Sequence, residues 1–252
     1  MSKYQNVLLR SLMLNTTPEG EARRRQELHD IAQPLKRMVG LALHEVTLQH
    51  PGYVAHKLGV DLAALRQVQF VGAGMDAVVF KSDDQEVRKL HHGTLGLSPA
   101  ALEQAARERQ ASYELLAEHL GTFTLPQYSF VGAHPFIPGA QVVQTRQPYR
   151  VITDPQLFVR DSDRADPAAV TALITAHPDT VSQLNDFVTF SATLYDAHRI
   201  VPDTRGRGNL ALEDSGTMLL IDAHPTLATD TIGQARTMNQ LAHLASLLPS
   251  AA

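Results

Sequence analysis

Residues 68–89, VQFVGAGMDAVVFKSDDQEVRK, constrain the fold more than any other stretch of the chain. Gly72 and Gly74 interrupt an extended run, and Ala77-Val78-Val79-Phe80 resumes it with β-branched and aromatic residues. Ser82-Asp83-Asp84-Gln85 then reads as a polar turn, and Glu86-Val87-Arg88-Lys89 as a third strand. Glycines spaced in this way also occur in dinucleotide-binding loops, but such a loop must open a helix that places its N-terminus at the pyrophosphate. Here the chain returns as a strand, so the spacing predicts a glycine-tipped β-hairpin. A hairpin of this kind can cover the phosphates of a nucleotide while one ammonium group, Lys89, grips them.

The rest of the chain alternates helical and extended signals. Thr17, Pro18, Glu19 and Glu21 form a helix start, and Leu35, Met38, Val39, Leu41, Ala42 and Val46 mark an apolar face after Pro34. Ser98-Pro99 opens a long helix that should stop at Gly121. Strands are expected at 122–131 and 141–145, a helix at 167–176, a second from Thr180 to about Arg199, strands at 209–212 and 217–221, and a last helix over 230–248. With 252 residues, 44% apolar and 19% charged, the chain can bury a sizeable core.

Several function classes recede on composition. The net charge of −4 argues against a nucleic-acid partner. Residues 53–65 faintly suggest a helix-turn-helix, yet its very short recognition helix would offer only Arg66 as a basic residue for phosphate contacts. No run approaches the roughly 18 apolar residues of a membrane span. No signal peptide is visible, so a cytoplasmic protein is expected. Zero cysteines exclude disulfides and thiolate chemistry. The twelve histidines do not fall into a transition-metal pattern: His91 and His92 are adjacent, and His44-Glu45 lacks a second histidine one turn on.

The order of these elements resembles the protein-kinase-like superfamily, over about residues 68–228. Gly72-Ala-Gly74-Met-Asp-Ala77-Val-Val79 is similar to the kinase glycine loop with alanine at its third glycine. Leu194-Tyr-Asp-Ala-His198-Arg-Ile-Val-Pro-Asp203 resembles the helix and loop that carry the catalytic aspartate, and Met218-Leu-Leu-Ile-Asp222 the strand that delivers a metal-binding aspartate. The resemblance implies a two-lobed α+β fold: a helical extension at 1–67, a small antiparallel-sheet lobe with one long helix at 68–150, and a reduced helical lobe at 151–252.

It also implies roles. Gly72, Gly74 and Lys89 would hold the phosphates of ATP, with Val79 and Val87 around the adenine. Glu108, in preference to Glu103 or Glu114, would orient Lys89. Asn209 and Asp222 would share Mg²⁺ between a carbonyl oxygen and a carboxylate. Asp203 would accept the proton of an acceptor hydroxyl, and Arg205 would stabilise the transferring phosphoryl group.

Departures qualify that picture. Val201 and Pro202 replace the histidine and arginine before the aspartate, and the stretch from Asp203 to Asn209 is one residue longer than the family pattern. Asp222-Ala223-His224 stands for Asp-Phe-Gly, and no Ala-Pro-Glu segment is present. The economy is that of the RIO and aminoglycoside-phosphotransferase branches. The expected activity is ATP-dependent phosphorylation of a hydroxyl on a small molecule or protein; the alternative is an inactive module of the same fold that binds a nucleotide or a partner. Residue by residue, each motif also has a plainer reading: a hairpin turn at Gly72–Gly74, a solvated edge lysine at Lys89, a surface i,i+4 pair at Glu108, and a turn-forming aspartate at Asp203.

Overall fold

In the computed structural model, residues 69–73, 77–81, 85–135, 139–159, 162–204, 209–223, 225–226 and 230–249 are described. The expected helical extension at 1–67 lies outside them, as do Gly74 and Arg205. The described fold is α+β, with all its strand ladders antiparallel. Two compact units divide the described residues: those up to 110 with 127–149, and those of 111–126 with 150–249.

The first unit is built on a sheet of five strands: β1 (Gln69–Ala73), β2 (Val78–Lys81), β3 (Glu86–His91), β4 (Tyr128–Ala133) and β5 (Gln141–Pro148), in the order β1-β2-β3-β5-β4. The segment after Gly72–Gly74 does return as a strand: β1 pairs with β2, with a bulge between Phe70 and Gly72. Between β3 and β4 runs α1 (Pro99–Leu120). The Ser98 Oγ accepts the Ala101 amide at 3.3 Å, and Pro99 begins the helix, where a missing N–H costs nothing. Leu102 and Ala106 of α1 pack on Val143 of β5, with Leu97, Ala105 and Val131 around them.

A strand from residue 122 does not form. Gly121 takes φ +53°, and residues Gly121–Phe123 make a 3₁₀ turn instead. Both the amide and the hydroxyl of Thr124 bond the Gly121 carbonyl, at 3.1 and 3.0 Å. Pro126 has no N–H to give a ladder, so β4 starts only at Tyr128. In β4, Gly132 leaves room for the Gln144 side chain, whose Nε2 donates to the Ala133 carbonyl at 2.8 Å; a Cβ at 132 would stand 2.7 Å from that nitrogen.

The second unit holds α2 (Pro167–Ala176), α3 (Thr180–His198) and α4 (Thr231–Leu247), with β6 (Ile152–Thr153), β7 (Val201–Pro202), β8 (Leu210–Glu213), β9 (Met218–Leu220) and β10 (Pro225–Thr226). Strands β6, β8 and β9 form one sheet, and β7 pairs with β10. Asp166 caps α2 by accepting the Ala168 and Ala169 amides, with Pro167 in the first turn; Asp230 caps α4 through the Gly233 amide. The core is apolar and continuous: Leu184, Phe187 and Leu194 of α3, Leu241 and Leu244 of α4, Val170 and Leu173 of α2, and Leu210, Leu212, Met218 and Leu220 of the strands. Among the described residues no helix is long and apolar enough to cross a membrane.

Candidate functional site

Strand register decides what the first unit can offer. Lys89 pairs with Val79 on β2 and with Thr145 on β5, while Val87 pairs with Lys81 and Gln147. Side chains two apart on a strand share a face, so Val79, Val87 and Lys89 all stand on one side of the sheet. Lys89 is only 6% exposed, which removes the reading of a solvated edge residue. Val87 is buried beside it and Val79 is half-buried. One face thus combines an apolar platform with a single buried cation, a pairing suited to a base and its phosphates. The same face carries polar groups that the sequence did not single out. Thr145 Oγ1 contacts His91 Nε2 at 2.8 Å and Ser129 Oγ at 2.9 Å, and the Ser129 amide donates to Gln110 Oε1 of α1 at 2.9 Å.

Glu108 departs from its expected position. It lies two residues beyond Ala106, roughly 200° around the helix from the line that packs on the sheet. Its side chain is exposed, and its Oε1 accepts from Gln104 Nε2 at 2.7 Å. The hydrogen bond of Glu108 therefore runs along its own helix, which is the plainer surface reading, rather than to the strand that carries Lys89. The physical cause is helix phase: the sheet-facing line already holds Leu102, Ala106 and Gln110.

In the second unit, one side-chain and one backbone hydrogen bond of Asn209 link it to Asp203 and to the residue before Asp222. Asn209 Nδ2 donates to the backbone carbonyl of Asp203 at 2.9 Å, across the longer loop. The backbone carbonyl of Asn209 accepts the Ile221 amide at 2.7 Å, which brings it to the residue before Asp222. From the other side, β7 pairs with β10, so Val201-Pro202 lies against Pro225-Thr226 just beyond Asp222. Asp203, Asn209 and Asp222 are all half-buried.

Side-chain amides, buried or half-buried, fix this arrangement further. Thr204 Oγ1 donates to Gln240 Oε1 of α4 at 3.3 Å, and Gln240 Nε2 donates to the Ser162 carbonyl at 2.7 Å. Gln183 of α3 clamps the turn between β8 and β9, taking the Met218 amide at 2.8 Å and giving to the Gly216 carbonyl at 2.9 Å. At the end of α3, Arg199 adopts a left-handed φ of 55°, and Gln234 Nε2 satisfies its carbonyl at 2.7 Å. None of these glutamines is marked by a sequence motif.

Among the described residues no group of three or more His, Asp or Glu side chains is poised to hold a metal ion. Mg²⁺ asks for less, because it keeps several waters and takes one or two protein ligands together with nucleotide phosphates. The donor set fits that demand. The backbone carbonyl of Asn209 is used by Ile221 and its Nδ2 by Asp203, so the ligand atom it can offer is the amide Oδ1. Asp222 supplies the carboxylate that a hard cation prefers. Comparison with protein-family models, with curated proteins and with solved structures found no match to this chain.

Proposed function

We propose that the protein is a minimal kinase-like phosphotransferase, moving the γ-phosphoryl group of ATP to a hydroxyl of a small molecule or protein. The observation that carries this reading is the double tie of Asn209, to Asp203 through its side chain and to Ile221 beside Asp222 through its carbonyl. That tie brings the backbone at Asp203 to Asn209 and Asn209 to the residue before Asp222, which supports a reading with a base and a hard-cation ligand pair close in the chain's path. The buried Lys89 beside Val79 and Val87 supports the ATP half, as does a small antiparallel sheet with one long helix.

In this reading the Gly72 and Gly74 amides and Lys89 hold the phosphates. Asn209 Oδ1 and the Asp222 carboxylate would hold Mg²⁺, which would supply positive charge to offset that of the phosphates. Asp203 takes the proton of the acceptor hydroxyl as its oxygen bonds to phosphorus, and ADP leaves with the electrons of the broken P–O bond. Arg205 stabilises the charge of the transferring group. The protein's contribution is positioning and charge placement, not covalent catalysis.

The exposed placement of Glu108 favours a second reading, a nucleotide-binding module of the same fold without turnover. ADP release from Mg²⁺·ATP separates the two, because water can serve as acceptor when the natural one is unknown. Turnover in the wild type that falls by ~10²- to 10⁴-fold in Asp203→Ala, with ATP affinity kept, is the expected result for a general base. Tight ATP binding with no ADP release in either protein would leave the binding module.

A further inference from the structure

On the face that carries Lys89, the buried polar side chains mostly answer one another, as His91, Thr145 and Ser129 do. Gln147 does not join them. It is 5% exposed, and its Oε1 is buried without a hydrogen-bond partner. An orphaned buried acceptor costs about 1–3 kcal/mol, so an apolar residue of similar shape would be more stable there. The position explains what such a residue could do. Gln147 stands directly opposite Val87 on the neighbouring strand, two pairs along from Lys89 and Thr145 and on the same face. Diagonal neighbours across a ladder lie about 7–8 Å apart, within reach of a single nucleotide whose base and phosphates are themselves separated.

We infer that Gln147 reads the base of the bound nucleotide: its Oε1 accepts a hydrogen bond from the 6-amino group of adenine, and its Nε2 donates to the adjacent ring nitrogen. This rests on the ATP reading above and adds to it the residue that selects the base. A side-chain amide offers one acceptor and one donor side by side, which is the complement of the adenine edge. A buried Oε1 calls for a donor, and the amino group is the donor adenine has. Val79 and Val87 supply the apolar surface for the ring, and Lys89 the cation for the phosphates.

The test compares ATP with purine riboside triphosphate, which differs only in lacking the 6-amino group. Both are titrated with Mg²⁺ into the wild type and into Gln147→Leu, and the unliganded melting temperatures are recorded. The expected wild-type preference for ATP is about tenfold, the effect of one hydrogen bond made in a buried site. In Gln147→Leu that preference should collapse towards unity, while the unliganded variant melts at the same temperature or higher, since the orphaned acceptor is gone. A purely structural glutamine would instead lower the melting temperature and leave the preference intact. If Gln147→Leu fails to fold, Gln147→Met, unbranched and close in length, takes its place. Equal affinity for the two nucleotides in the wild type, or a preference that survives in the variant, overturns the inference and leaves ATP binding standing. Binding of neither nucleotide removes the ATP reading and this inference with it.

Discussion

The two units position their candidate residues by different means. In the first, Val79, Val87 and Lys89 are set by ladder register, a property shared by whole strands. In the second, Asp203, Asn209 and Asp222 lie at strand ends and in loops, and single side chains hold them: Asn209 on Asp203, Gln240 on Thr204, Gln183 on the β8–β9 turn. A strand can change register only by moving every side chain to the other face, whereas a loop shifts when one hydrogen bond is lost. Small substitutions at the ties of the candidate residues should therefore disturb chemistry in the second unit and stability in the first.

The largest effect is expected for Asn209→Asp. The new carboxylate cannot donate to the Asp203 carbonyl and sets oxygen against oxygen, so turnover of Mg²⁺·ATP should drop ~10²-fold with little change in melting temperature, as positioning errors do. A loss of stability without loss of turnover would break the contrast. Next is Thr145→Val in the first unit, which strips His91 Nε2 and Ser129 Oγ of their shared partner and should cost about 1–3 kcal/mol in denaturant unfolding. Asp166→Ala removes the cap of α2, and about 1 kcal/mol is expected by the same measurement. The smallest effect belongs to Glu108→Gln, within about 0.5 kcal/mol and with turnover unchanged, because among the described residues the present carboxylate serves a surface helix contact with Gln104. A tenfold fall in turnover there would return Glu108 to the site.

The contrast also explains what could be read in advance. The hairpin after Gly72 was legible because β-branched residues follow the glycines, and α2 was legible as a helix over 167–176, whose cap the structure assigns to Asp166. The start of β4 was not, since a local 3₁₀ turn at Gly121 competes with the extended preference of Thr122 and Phe123. Face, but not depth, follows from strand alternation. Lys89 could be assigned a side, yet its burial depends on what packs there. Glu108 was misplaced because spacing along a helix fixes phase only once the packed line is known. Gln147, Gln183 and Gln240 carry no local signature at all; their roles exist only after the fold has brought partners near them or withheld one.

Thermal unfolding with ATP, with and without Mg²⁺ and against NAD as a control, tests the central claim most directly. A ligand that binds only the native state adds RT ln(1 + [L]/Kd), about 2.7 kcal/mol at a hundredfold excess over Kd. Stabilisation by ATP that grows with Mg²⁺, is weakened in Asp222→Asn, and is absent with NAD is the expected result. No shift with ATP under any Mg²⁺ concentration, or a shift with NAD in its place, would contradict it.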